Sequence, residues 1–351
     1  MGGDSSTLAS ALVSSRDGIA NFWTIPGTTP THLAFEDATN LARWGTLVRA
    51  VDIDFELFTQ LGFSSDTKSN MARVWHLSVT APTADGVAPK GVYQPLFSLT
   101  RPSETTFKKQ VNLLGNYADL RPDRIDEVIT QLGGAQAFLA SIAYLNPERT
   151  KYTLELLAAA VRVATFVEMR LKHATACRRP IEYTPQLQPM ISTPLHGTYP
   201  SGHATETFMM AIVLWNLIKG SGAYGDTLWL AQLLQLAARV AINRQVAGVH
   251  TPVETAAGTL LGLTLGGYLV QQFNAVATPA GRYDAWHFDG ANYAPDDLDY
   301  DWTDYFDMSS ATQAASAAAS GFATKQAGAG GAGRASAILD WLWKKAAAEW
   351  S

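Results

Sequence analysis

One cysteine, Cys177, stands in 351 residues, which excludes an intramolecular disulfide framework and any zinc site built from several thiolates. Arg178 and Arg179 beside it would depress a thiol pKa, but no catalytic partner adjoins it, and a small buried thiol is the expected role. Basic excess is missing too. With 26 Lys and Arg against 31 Asp and Glu, the net charge of -5 argues against nucleic acid as a partner, so any anion affinity must be local. The first thirty residues lack a basic start, a continuous apolar core and a cleavage site, so the chain reads as soluble and cytoplasmic, with export left open if the Met1-Gly2-Gly3 start is a processed end. Long period-two alternation is scarce as well.

What the chain does have is helical periodicity and a 47% hydrophobic content, ample for the core of one large or two ordinary domains. Apolar residues recur at spacings of three and four over about 33–61, 124–144 and 148–175. In the last of these, Leu156, Ala160, Val163, Val167, Leu171 and Ala174 form one stripe, as in a bundle helix. Further helices are predicted from Ser201 or Gly202 to Ile218, from Thr227 to Asn243 and from Pro252 to Phe273. The last opens with a capping box at Thr251 and Glu254.

Gly258, Gly262 and Gly266 give that helix a smooth face for close packing. Its uncharged span from Thr255 to Val270 falls short of the ~20 residues of a membrane helix, so no membrane span is expected. The stretch from Val74 to Leu99, with Pro82, Gly86, Pro89, Gly91 and Pro95, reads as irregular or as a short hairpin. The acidic, aromatic tract from Tyr283 to Phe306 lacks calcium-loop spacing and reads as a surface segment packed by its rings. Ser309 to about Ser336 is an Ala/Gly/Ser-rich connector. Beyond it, Trp341 and Trp343 sit in a short helix that either docks on its own chain or forms an interface between copies.

Three blocks carry chemistry: Lys172 with Arg179-Pro180, then Tyr199-Pro200-Ser201-Gly202-His203, then Arg244 followed by His250. Guanidinium forks, a lysine point charge and the N–H groups of a helix start at Ser201 all suit a tetrahedral oxyanion. If α-geometry runs on to Arg179, its seven-residue spacing from Lys172 places both on one face.

In order and spacing the blocks resemble the signature shared by vanadium-dependent haloperoxidases and type 2 phosphatidic acid phosphatases, over roughly residues 148–275. The resemblance implies an all-α fold with the oxyanion site in a four-helix-bundle core. With the irregular stretch and the connector as boundaries, the chain is expected to divide into an N-terminal helical layer with an irregular segment (1–110), a catalytic bundle domain (111–308) and the connector with its docking helix (309–351). The resemblance implies His250 as the vanadate ligand or the phosphohistidine nucleophile. Lys172, Arg179, Arg244, Ser201 and Gly202 would bind the oxyanion, and His203 would be the acid–base group, titrating between about pH 5 and 8. Lys172 would also polarise an oxygen during the reaction.

His196, Gly197, Thr198 and Tyr199, with Pro200 to Thr205, are more similar to the soluble haloperoxidases. The expected function is therefore oxidation of bromide or iodide, before chloride, by hydrogen peroxide on a vanadate cofactor, with small organic substrates and a homodimer or higher homo-oligomer. The alternatives are a soluble acid phosphatase, with phosphate in the same site, and a non-catalytic oxyanion-binding protein. His196 is either a second active-site histidine or a surface loop residue. Met169 stands where the family often has an aromatic or arginine beside the halide. Glu254 either orients His250 or only completes the capping box.

Overall fold

The computed structural model describes residues 6–19, 27, 30–80, 87–293, 298–327 and 330–351. In chain order its main elements are α1 (Ser6–Ile19), α2 (Thr46–Phe58), β1 (Leu61–Asp66), β2 (Met71–Thr80), β3 (Lys90–Thr100), α3 (Glu104–Leu113), α4 (Arg121–Thr130) and α5 (Gln136–Ala143). They continue as α6 (Lys151–Thr175), α7 (Pro180–Tyr183), α8 (Gly202–Ile218), α9 (Thr227–Val246), α10 (Pro252–Asn274), β4 (Trp286–Asp289), β5 (Phe306–Asp307), β6 (Thr312–Gln313), β7 (Ala323–Lys325) and α11 (Ala337–Ala347).

The all-α expectation is overturned by a five-stranded mixed sheet in the order β1-β2-β3-β4-β7, with β3 and β4 parallel and the other pairs antiparallel. The stretch read as irregular or a short hairpin is its centre, two long strands registered Met71 to Thr100 with a bulge at Val74/Trp75. Residues 81–86, with Pro82 and Gly86, lie outside the described residues. Burial along β2 does alternate, through Ala72, Val74 and His76. Polarity does not follow it, because the inward set includes a histidine and the outward set includes Trp75. The period-two signal was erased by side chains that break the rule on both faces.

α8 packs against α6, α9 and α10, and nearly every residue along it is buried, as expected for a helix apolar all round. A Cβ at Gly258 would stand 2.5 Å from the Ser201 carbonyl oxygen and one at Gly266 2.7 Å from Ile212 Cβ, while at Gly262 it would collide with the Thr205 carbonyl. The glycine face thus seats the backbone of α10 directly on that of α8. Among the described residues α10 alone has the length and composition to cross a membrane, and 94% of its most apolar window is buried inside the fold.

Two tertiary ties hold the bundle's outer helices. The Arg49 guanidinium of α2 grips both carboxylate oxygens of Glu155 on α6 at 2.8 Å. At the other end of the chain, Glu349 accepts from the backbone N–H groups of Tyr152 and Thr153 at 2.8 Å, capping α6 with a residue nearly two hundred positions away. Trp341 is buried and Trp343 stacks on Phe273, so both rings dock on their own chain.

Helix propensity alone would make Gly262→Ala stabilising by ~1 kcal/mol. Overlap with the Thr205 carbonyl reverses the sign, and we expect a loss of about 1–3 kcal/mol in urea unfolding. Gly267, with nothing within 4 Å of its would-be Cβ, is the control on the same helix: Gly267→Ala should be neutral or stabilising.

Candidate active site

The three blocks converge. Lys172 lies in the last turn of α6, which ends at Thr175 because Ala176 turns left-handed at φ 50°. Arg179 is therefore not on that helix two turns along. It flanks the separate short helix α7, and its guanidinium returns to the site across the turn. Lys172 Nζ donates to the Pro200 carbonyl. Arg179 Nη1 reaches the Val249 carbonyl (3.2 Å) and His250 Nε2 (3.3 Å), while its Nη2 lies 3.1 Å from His196 Nδ1. Arg244, near the end of α9, donates from Nη2 to Gln131 Oε1 at 2.8 Å and to the Val128 carbonyl at 3.1 Å. All three cations are buried.

His250 precedes α10, and its Nδ1 lies 2.5 Å from Glu254 Oε2. That same oxygen accepts from Thr198 Oγ1 (2.8 Å) and from the Thr251 backbone N–H (3.1 Å). The two roles weighed for Glu254, cap and histidine orienter, are one arrangement. A proton on Nδ1 facing the carboxylate leaves Nε2 as a bare lone pair toward Arg179.

Buried polar atoms without partners test what the site can hold. Arg244 Nε and Nη1 and Ser201 Oγ are buried and unpaired, and Ser201 flanks α8 without using its hydroxyl as a cap. Buried donors are seldom left unmet, and these are N–H and O–H groups beside a helix N-terminus, a set matched to an oxyanion such as phosphate or vanadate. Among the described residues, no group of three or more His, Cys, Asp or Glu is arranged to hold a metal ion.

Residues 153–277, from the first turn of α6 to just past α10, match the PAP2 superfamily. This stretch is a PAP2 superfamily domain. The match stands at superfamily level and contains every cradle residue. A solved structure, the first transmembrane PAP2 type phosphatidylglycerolphosphate phosphatase from Bacillus subtilis, is similar with a TM-score of 0.40 and 19% identity, over 50% of this chain and 88% of that one. No curated protein matches the chain.

Within the PAP2 domain, His203 occupies the first turn of α8, half-buried, and its Nε2 donates to the Gln131 carbonyl over 3.1 Å. Its Nδ1 is then the atom free to exchange a proton. Burial, followed by the Arg244 charge, pushes its pKa down to about 4, well below the pH 5 to 8 range expected from sequence. Burial likewise holds His250 neutral and lowers Lys172, Arg179 and Arg244, the last to about 10. Burial raises Glu254 to about 7.

His196 is exposed in the loop before α8, and its Nδ1 lies 3.1 Å from Arg179 Nη2. Met169 is not in the group. It lines a separate cavity of about 420 Å³ with Leu61, Phe63, Val74, Phe166 and His173. Gly202 serves the site by lacking a Cβ, which would stand 2.6 Å from Glu168 Oε1.

Sequence reasoning missed Glu168, Thr198 and Gln131. Glu168 left a trace as a charge beside the apolar stripe of α6, one turn before Lys172. Gln131 left none, since only the fold brings the segment after α4 over Arg244.

In the anion-free protein the His203 ring should stay neutral down to about pH 5, read by nitrogen-15 NMR; a midpoint near 6.5 would contradict the placement. Because its folded pKa lies below the unfolded value of 6.5, the linked stability is fully present above 6.5 and is lost as pH falls toward 4.

Proposed function

We propose that the chain is a PAP2-type phosphatase that hydrolyses phosphate esters through a phosphohistidine at His250. The observation that carries this is the hydrogen bond between His250 Nδ1 and Glu254, which turns Nε2 toward Arg179 in a cradle of buried cations and unpaired donors. An imidazole so oriented is a nucleophile, and Arg179, Arg244, Lys172 and Ser201 supply the donors that a trigonal-bipyramidal phosphoryl group would need as charge builds on its equatorial oxygens.

Attack by Nε2 on phosphorus breaks the bond to the leaving oxygen, and the Nδ1–H faces Glu254, which stabilises the cation formed on the ring. Burial depresses His203 most and the Arg244 charge next; a bound dianion offsets that charge, so the Nδ1 can hold the proton that the leaving oxygen takes. The neutral ring then removes a proton from the water that cleaves the P–N bond, regenerating His250.

A second reading rests on His196. Its Nδ1 lies 3.1 Å from Arg179 Nη2, and its place in the sequence resembles that of the second histidine of haloperoxidases. Vanadate would be held by His250 Nε2 and the same donors, Lys172, Arg179, Arg244, Ser201 and Gly202, and would supply activation of hydrogen peroxide for halide oxidation. His203 would hold or release the proton in that case too, and Arg179 would orient His196.

The purified protein should hydrolyse p-nitrophenyl phosphate with inhibition by vanadate. His250→Ala should lower kcat by more than about 10³-fold. Absence of hydrolysis, together with halide- and peroxide-dependent halogenation after vanadate loading, would reverse the order of the two readings.

A further inference from the structure

α6 turns a polar edge toward the start of α8 that neither reading uses. Thr165, Glu168 and Lys172 lie along one face of α6 and meet Glu206, Gly202 and Pro200 in turn. Thr165 Oγ1 donates to Glu206 Oε1 over 3.4 Å, the Glu168 carboxyl lies against Gly202, and Lys172 Nζ donates to the Pro200 carbonyl. Thr165 is exposed, Glu206 half-buried, and Glu168 and Lys172 buried, so the row leads from solvent to the cradle.

Glu168 is the misfit in this row. Its Oε2 is buried without a partner, and its carboxyl fills the space left by the missing Cβ of Gly202, at the first turn of α8 where an oxyanion would sit. The charges that face it are Lys172 on its own helix, Arg179 beside α7 and Glu206 on α8. His203 of α8, Arg244 of α9, His250 just before α10 and Glu254 within it lie around the same cradle. With the cradle empty, an ionised Glu168 is a counter-charge to Lys172 and Arg179. With a dianion bound it becomes a like charge at close range, and two such charges do not both stay ionised.

Resting on the oxyanion reading above, we infer that Glu168 is the proton-linked residue of the cradle: an oxyanion binds to the form in which this carboxyl is neutral. Where Glu168 is ionised, binding takes one proton from solvent, along the Thr165 and Glu206 edge, forming a carboxylic O–H and breaking no bond in the anion. Burial and Glu206 push Glu168 up while Lys172 and Arg179 pull it down, leaving it at about 8, so the linkage falls in the alkaline range. The sign follows: the proton is in place below pH 8, and anion affinity is lost as pH rises through it.

The probe is inorganic phosphate, dianionic throughout that range, measured by calorimetry in buffers of differing ionisation enthalpy. Wild-type affinity should fall about tenfold per pH unit above about 8, with uptake of about one proton per phosphate. Glu168→Gln should flatten that slope and, near pH 9, bind phosphate up to about tenfold more tightly than wild type. Glu206→Gln should keep the slope. An unchanged slope in Glu168→Gln, or a slope lost in Glu206→Gln alone, overturns the assignment. Should Glu168→Gln not fold, infrared difference spectra of the wild type decide instead: phosphate binding near pH 9 must raise the carbonyl band of a protonated carboxyl, and its absence overturns the inference. Failure of the wild type to bind phosphate at any pH would overturn the oxyanion reading and this one together, a result distinct from binding without proton uptake.

Discussion

The contact between α8 and α10 is the constraint on which the site depends. With no Cβ at Gly258, Gly262 and Gly266, two helix backbones lie close enough for the Ser201 N–H to reach the Glu254 carbonyl at 3.0 Å. That bond joins the start of one helix to the first turn of the other. It sets the unpaired Ser201 hydroxyl, the His203 ring and the His250–Glu254 pair around one space. Larger residues on the seam would part the two helix starts and separate Ser201 and His203 from the His250–Glu254 pair.

Around this seam the fold accepts an electrostatic cost. Lys172, Arg179 and Arg244 are buried together, and each has its proton affinity lowered by burial. Donors left unpaired on Arg244 and Ser201 deepen that cost in the anion-free state. A bound oxyanion would return it as affinity, and more so for a transition state carrying greater charge on its equatorial oxygens. Carboxyls behave in the opposite sense: Glu254 and Glu168 are both raised, one held by three donors and the other by none on Oε2. The difference in partners separates a carboxyl that orients a histidine from one free to exchange a proton.

The helices of the PAP2 domain were legible because each carries its own signal: an apolar stripe on α6, a capping box at Thr251, a run of buried residues along α8. The sheet was not. His76 inside β2 and Trp75 outside it invert the usual polarity, and β4 and β7 are four and three residues long, too short to show any period. The end of α6 at Thr175 agrees with the apolar pattern; only the conditional run of α-geometry on to Arg179 fails, since the left-handed turn at Ala176 falls on a residue with no sequence preference for it.

By itself the sequence brought forward Lys172, Arg179, Ser201, His203, Arg244 and His250, because they are chemically specific and stand in a fixed order. It also marked the glycine seam that unites them. Tertiary structure alone decided their states. Whether Glu254 caps or orients, whether His203 is charged, whether Met169 faces the site, and what fills the space beside Gly202 all depend on distances between segments far apart in the chain. Burial and through-space charge depend on those distances, and residue order does not encode them.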